Sequence, residues 1–184
     1  MFKKINLKKL SVAAAVLGLA VGGSAVVAEG LDNPSNISIV QAASTSQIKL
    51  NRTQAVKKFT QKFGNKSIES ISLKSSGSKY VYTVEGFDST KEYEVKINAK
   101  TGKIISSKTE RLDADDHKSA VNLKKAISRS SATKIAKKYA SGKVVEWTLE
   151  KENGKSVWVV EFSNGTEVEI NALTKKVISV EKDD

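Results

Sequence analysis

The chain contains one pattern twice, and an internal repeat constrains a fold more than any single motif does. Residues 97–105 read INAKTGKII and residues 170–178 read INALTKKVI. Upstream, Leu73 aligns with Leu149 at an offset of 76 residues, whereas the two quoted segments align at an offset of 73 residues. The copies therefore differ in length in the connections between their elements. Two copies are too few for a solenoid and predict two tandem domains of about 60 residues each.

Each copy predicts one helix followed by an antiparallel meander. In the first copy, apolar residues at i, i+3 and i+7 from Val56 share one helical face. Asn51 or Thr53 can cap this helix, and Gly64 stands where a glycine ends it. Alternating strands follow, with Tyr80, Tyr82 and Val84 expected on one face of the second strand.

The second copy repeats this order. Ser130 or Ser131 can cap its helix, and Gly142 can end it. Asn164-Gly165 lies between two alternating segments and is a strong hairpin signal. The predicted apolar face of this helix comprises Ala132, Ile135, Ala136, Tyr139 and Ala140.

The predicted fold class is α+β, because a helix followed by a meander must bury its apolar stripe on one sheet face. We expect two tandem two-layer modules, each with one helix packed on a 3-4-stranded antiparallel sheet. Module 1 spans 49–110, a linker spans 111–126 and module 2 spans 127–182. The linker is long enough for the modules either to pack together or to move independently. Cutting at Asp115-Asp116 should then leave two folded fragments.

The N-terminus predicts export. Basic residues in the first nine positions precede an uncharged, apolar stretch from Leu10, which is typical of a secretory signal peptide. Residues 1–42 are read as signal peptide and leader, with cleavage after Ala28 or Ala42; the alternative is a retained membrane anchor. The start resembles the long signal peptides of Gram-positive bacteria. With no cysteine for disulfides or lipid attachment, the predicted protein is secreted or cell-surface associated, without a stable membrane span after cleavage.

Positive charge is concentrated in module 1. Residues 43–111 hold 14 basic and 6 acidic residues, a net +8, whereas residues 129–184 hold 10 and 9, a net +1. Lys57, Lys58 and Lys62 lie mainly on the outer side of the first predicted helix and are candidate contacts for an anionic partner. The alternative is that the charge only reflects export to an anionic envelope.

Catalytic constellations are missing from the sequence. The only histidine, His117, lies in the linker, and no G-x-S-x-G elbow is present for a nucleophilic serine. Asp113, Asp115 and Asp116 could form at most a weak cation site, because the spacing and glycine of a calcium loop are absent. No catalytic, cofactor or metal residue is therefore assigned. Trp147 and Trp158 are predicted to pack in the core or at a sheet edge, and nucleic-acid binding is not expected because the basic module has no tryptophan.

The repeated segments resemble the PepSY domain, which occurs in propeptides of thermolysin-type peptidases and in secreted bacterial proteins. The resemblance rests on YTVE at 82–85 with INAKTGKII, and on WVVE at 158–161 with INALTKKVI. Together the two copies cover about two-thirds of the chain. Asn98 and Asn171 stand where the family usually has aspartate, and Lys175 replaces the turn glycine. The resemblance implies a non-catalytic module that regulates or inhibits peptidases outside the cell.

Two functions follow as hypotheses. The first is a secreted, non-catalytic binding protein that regulates or inhibits an extracellular peptidase or cell-wall hydrolase, by occlusion with a sheet edge or turn. The second is an envelope-associated binder of anionic cell-wall polymers through the basic first module.

Overall fold

Two α-helices and eight strands make up most of the described chain, which comprises residues 44–112 and 118–182 of a computed structural model. The predicted signal peptide and leader, with Ala28 and Ala42, lie outside the described residues, and so do His117 and the aspartates beside it.

The first half forms the predicted helix and a four-stranded meander. Asn51 caps the helix: its side chain accepts from the Gln54 N–H while the Gln54 side chain accepts from the Asn51 N–H, a reciprocal capping box. Gly64 ends the helix with a positive φ of 77°. The elements are α1 (Arg52–Phe63), β1 (Ser67–Ser76), β2 (Lys79–Phe87), β3 (Lys91–Asn98) and β4 (Ile104–Arg111).

The second half repeats the order with a shorter helix. Its N-cap is Ser128, whose Oγ accepts from the Ser131 N–H, so the prediction of Ser130 or Ser131 as the cap is wrong. Tyr139 lies beyond the helix and is 55% exposed, so its assignment to the apolar helix face is also wrong. The elements are α2 (Arg129–Ala136), β5 (Val144–Glu152), β6 (Lys155–Phe162), β7 (Thr166–Asn171) and β8 (Val177–Lys182).

All eight strands form one antiparallel sheet in the order β4-β3-β2-β1-β5-β6-β7-β8. The α+β class is confirmed, but the predicted pair of separate 3-4-stranded sheets is not, because β1 hydrogen-bonds to β5 across the middle. Ile71 pairs with Leu149 and Leu73 with Trp147. Under the repeat offset of 76, Ile71 corresponds to Trp147 and Leu73 corresponds to Leu149, so the two pairs are equivalent. A pseudo-twofold axis therefore passes through the Ser72–Thr148 pair between them.

Both helices pack on the same sheet face and share one core. Residues that pair directly on neighbouring strands lie on the same face of the sheet. Tyr82, Leu73, Trp147 and Val160 pair in this way from β2 to β6, and all four are buried. The prediction that Tyr80, Tyr82 and Val84 share one face is confirmed, and all three are buried. Of the two alternatives for Trp147 and Trp158, the structure shows packing in the core.

The two halves fill equivalent space with different residues. On α1, Phe59 is fully buried, and it lies so close to Gly86 of β2 that a Cβ there would meet Phe59 Cζ at 2.7 Å. At the equivalent positions the second half has Ala136 on its helix and Phe162 on its strand, both buried. The large side chain thus comes from the helix in one half and from the sheet in the other.

Residues 118–127 pack on the sheet. The Val121 N–H donates to the Ile68 carbonyl, and the Ile127 N–H donates to that of Ala172. The Asn122 N–H donates to Ser156 Oγ at 3.0 Å, and Val121 and Ala126 are buried. This part of the predicted linker therefore holds the two halves together, whereas independent folding of modules with bounds 49–110 and 127–182 stays a prediction.

Candidate binding surfaces

The two outer strands, β4 and β8, are the edges of the sheet. All eight residues of β4 are exposed, including Ile104 at 43% and Ile105 at 56%. On β8, Ile178 and Val180 are 48% and 46% exposed. Each edge therefore combines β-branched side chains with a backbone row that has no strand neighbour within the described residues.

The direction of the free hydrogen-bonding groups on β4 follows from its register. The Leu112 N–H, just beyond β4, donates inward to the Thr90 carbonyl of the β3 side. Because backbone groups alternate along an antiparallel strand, residues an odd number of positions away point outward. The N–H groups of Ser107 and Thr109 thus face away from β3 and are available to an added strand.

A groove of about 400 Å³ lies above the centre of the sheet, between the N-termini of the two helices. Its floor comes from β1, β2, β5 and β6, and its walls come from the segments that lead into α1 and α2. The residues that line it are Ile48, Lys49, Leu50, Asn51, Arg52, Thr53, Ile71, Leu73, Tyr82, Ser128, Arg129, Ser130, Trp147 and Trp158.

The groove shares the pseudo-twofold symmetry of the sheet. Tyr82 donates its hydroxyl to the Leu50 carbonyl at 3.1 Å, and at the equivalent place Trp158 donates Nε1–H to the Ile127 carbonyl at 3.1 Å. Each bond ties a floor residue to the segment that leads into a helix, so both walls are fixed to the sheet.

The symmetry fails at two equivalent arginines. Arg52 is held by the second half, because its guanidinium donates to the carbonyls of Leu123, Ala126 and Ile127 at 3.1 to 3.2 Å. Burial lowers the pKa of Arg52. Arg129 is half-buried, with its guanidinium carbon 4.7 Å from the Trp147 ring centroid. Its guanidinium has no hydrogen bond or ion pair with other described residues.

The sheet face opposite the helices is rich in carboxylates. Burial, with the nearby Glu152 and Glu169, raises the pKa of Glu150 to about 7. Burial and Glu146 raise the pKa of Glu161 to about 7, against the opposing effect of Lys74. We call this surface the open face; its acidic residues are Glu85, Glu92, Glu94, Glu110, Glu146, Glu150, Glu152, Glu161, Glu167, Glu169 and Glu181.

The predicted anionic-partner contacts lie on the other side of the molecule. Lys57 and Lys62 are exposed on α1, and Lys58 is half-buried, with its side chain near Gly102. No ion pair involves these three side chains within the described residues, whereas the ion pairs found there join lysines to acids of the strands and their connections. The second half adds exposed lysines on and after its helix: Lys134, Lys137 and Lys138.

Sequence reasoning predicted the lysines and the edge but missed the groove and the open face. The signal for the groove was present, since Arg52 and Arg129 are separated by the helix offset of 77. Their meeting depends on β1–β5 pairing, which the repeat alone does not specify.

The described residues contain no group of acidic or histidine side chains that could hold a metal ion. Within the same ranges, no helix is long and apolar enough to cross a membrane.

Comparisons with known proteins identify a family and a similar solved structure. A family model described as PepSY, the peptidase propeptide and YPEB domain, matches residues 49–108 and 126–181. A solved structure of a putative lipoprotein from Clostridium difficile 630 is similar, with a TM-score of 0.68 and 30% sequence identity. The similarity covers 74% of this chain and 95% of that one. No curated protein matches.

Proposed function

From the premise that this chain belongs to the PepSY family, we propose that it is an extracellular, non-catalytic binding protein that regulates a peptidase or cell-wall hydrolase. The family is linked to peptidase propeptides, and it indicates no catalytic activity. The observation that carries the proposal is the exposed edge strand β4.

An edge strand is suited to a cleft that binds extended chains. A strand added to a sheet edge gains affinity from main-chain hydrogen bonds and specificity from alternate side chains. On β4, Ser107 and Thr109 supply outward N–H groups, and Ile105 supplies an exposed apolar side chain. The proposed mechanism is occlusion: β4 docks as an extra strand against the target and blocks the approach of its substrate.

The test adds the purified chain, from Ser44 to the C-terminus, to the extracellular and envelope fractions of the organism that carries the gene. Hydrolysis of a fluorogenic protein substrate and of dye-labelled cell-wall fragments is measured with increasing protein. We expect one of the two rates to fall in a saturable manner. Unchanged rates of both reactions would contradict the proposed function.

A proline substitution identifies the edge. Thr109→Pro removes an outward N–H of β4 without removing a bond to β3, since proline is tolerated at such edge positions. We expect it to abolish the effect on hydrolysis. Val180→Pro changes the opposite edge, β8, and is the matched control, with thermal unfolding measured for both. Equal inhibition by Thr109→Pro and the unmodified protein would show that β4 is not the docking edge.

A second candidate function is binding of anionic cell-wall polymers, and the unpaired lysines of α1 favour it. Lys57, Lys58 and Lys62 have no acidic partner within the described residues, so their charges are available to a polyanion. Such attraction is screened over about 10 Å at 0.1 M ionic strength. Binding to a wall polymer should therefore weaken as salt is added.

The triple variant Lys57→Glu, Lys58→Glu, Lys62→Glu tests this second function. It should retain most of its stability, because Lys57 and Lys62 are exposed, Lys58 is only half-buried, and surface charges contribute less than about 1 kcal/mol each. Its retention on purified anionic wall polymer should fall sharply. The matched control reverses Lys134, Lys137 and Lys138 in the second half. Retention equal to that of the unmodified protein would exclude the first-half lysines as the contact.

A further inference from the structure

We propose that the central groove is a second binding site, which takes an extended peptide whose carboxylate reaches Arg129 beside apolar side chains. It is separate from β4, since β3 lies between that edge and the strands under the groove.

The charge of the groove selects an anion. Its lining contains Lys49, Arg52 and Arg129 and no acidic residue. The chain's acidic strand residues lie instead on the open face, behind the sheet. A carboxylate in the groove would meet positive charge without a competing internal partner.

Arg129 is the residue that remains available. A guanidinium has five N–H donors in a planar fork that matches a carboxylate. Arg52 already uses donors on three main-chain carbonyls, so it shapes the wall. The Arg129 guanidinium lies over the Trp147 ring and makes no hydrogen bond to other described residues. Binding at Arg129 therefore breaks no internal hydrogen bond seen in the described structure.

The apolar lining favours a peptide over a phosphate polymer. Ile48 and Leu50 form part of one wall, and Ile71, Leu73 and Trp147 contribute to the floor. A polymer of phosphates and polyols has no apolar groups to place against these side chains, whereas a peptide with alternating acidic and aliphatic residues has both.

The test measures fluorescence anisotropy of a fluorescein-labelled peptide of alternating valine and glutamate, with the chain from Ser44 to the C-terminus. We expect saturable binding, and at least about tenfold weaker binding of the same peptide with glutamine in place of glutamate. Arg129→Gln should weaken binding of the acidic peptide by about tenfold or more, and Arg129→Lys by less, because lysine keeps the charge but loses the fork.

Controls separate this site from other surfaces. Lys134→Gln removes a charge from the same helix outside the groove and should leave affinity unchanged, and thermal unfolding confirms that each variant is folded. Thr109→Pro should also bind the peptide normally, because β4 is not part of the groove. Peptide binding can therefore be observed even if the proposed regulatory function through β4 fails. Equal binding of both peptides, or unchanged binding by Arg129→Gln, would overturn the proposal. Displacement of the peptide by poly(glycerol phosphate) at lower concentration than by unlabelled peptide would overturn it in favour of a phosphate ligand.

Discussion

The two halves of the molecule share one fold and differ in how they pack and carry charge. Phe59 fills the layer between helix and sheet in the first half, whereas Phe162 comes from the strand in the second. On the open face, Lys74 of β1 occupies the position equivalent to Glu150 of β5. Equivalent backbone positions therefore do not imply equivalent chemistry, and the seam between the halves depends on the difference: Lys74 forms an ion pair with Glu146 across it at 2.6 Å.

The largest expected effect comes from separating the halves as fragments 44–112 and 118–182. Each fragment exposes a strand, β1 or β5, that pairs in the intact chain, so we expect both to lose stability. The symmetric register allows β1 to pair with a second β1, and the first fragment should dimerise. If two copies of the second fragment paired through β5 in the same register, Glu146 of one copy would lie opposite Glu150 of the other. Like charges directly opposite each other are destabilising, so this dimer should be weaker.

Analytical ultracentrifugation and thermal unfolding of each fragment, alone and mixed, check this prediction. We expect dimers of the first fragment, weaker self-association of the second and a heterodimer on mixing. Two monomeric fragments with cooperative unfolding would instead support independent modules, as the repeat alone predicted.

The next largest effect concerns the layer under α1. Phe59→Ala should lower the free energy of unfolding by about 3–5 kcal/mol, because it removes a fully buried ring. Gly86→Ala should cost about 1–3 kcal/mol, since its Cβ would lie 2.7 Å from Phe59 Cζ and 2.6 Å from the Ser67 carbonyl oxygen.

Denaturant unfolding of Gly86→Ala in a Phe59→Leu background shows which contact dominates. A smaller cost in that background identifies the ring as the limit. An unchanged cost identifies the Ser67 carbonyl as the limiting contact. Side-chain volume alone would then not explain why the large residue comes from the helix in one half and from the sheet in the other.

A smaller effect should distinguish the equivalent arginines. Arg52→Ala should lower the free energy of unfolding by about 2–3 kcal/mol, because it leaves three carbonyls of the second half without their charged donor. Arg129→Ala should cost less than about 1 kcal/mol, the usual size of an exposed cation–π contact. Chemical denaturation of both variants measures the difference, and equal costs would remove the structural distinction between them.

The smallest effect in this series is the pH dependence of the second half. Burial raises the pKa of Glu150 to about 7, above its unfolded value of 4.5, so the folded state binds its proton more tightly. Protonation of Glu150 therefore stabilises the folded state. This contribution to the free energy of unfolding is complete below pH 4.5 and is lost as pH rises through 7. Glu150→Gln should remove about 1 kcal/mol of this dependence, because solvent screening reduces the effect of a partly exposed group.

Unfolding of the unmodified protein and of Glu150→Gln at several pH values in that window provides the measurement. A pH profile that Glu150→Gln leaves unchanged would show that crowding of carboxylates on the second half does not affect stability.

Much of the fold could be predicted from local patterns. Alternation placed Tyr82 and Val84 in the core, and Asn164-Gly165 marked the β6–β7 hairpin, because both signals depend on neighbouring residues alone. The cap at Ser128 was missed because several serines compete there, and only the chain path decides which one meets an N–H group.

The site was harder to predict because it depends on contacts between the halves. Pairing of β1 with β5 joins segments that are separated by about one repeat, and no periodicity within either segment specifies it. The groove and the tethering of Arg52 both follow from that pairing. Lys57 and Lys62, by contrast, could be placed from helical periodicity alone, and both are exposed.

The excess of acidic residues on the open face and of lysines on the helices gives the molecule an electric dipole directed across the sheet. In the field near an anionic surface, a molecule with this charge distribution rotates until its helices face the surface. The open face then points away, and β4 and β8 lie parallel to the surface at the sides of the molecule. An oriented layer of this kind would present its edge strands to proteins that move along the same surface.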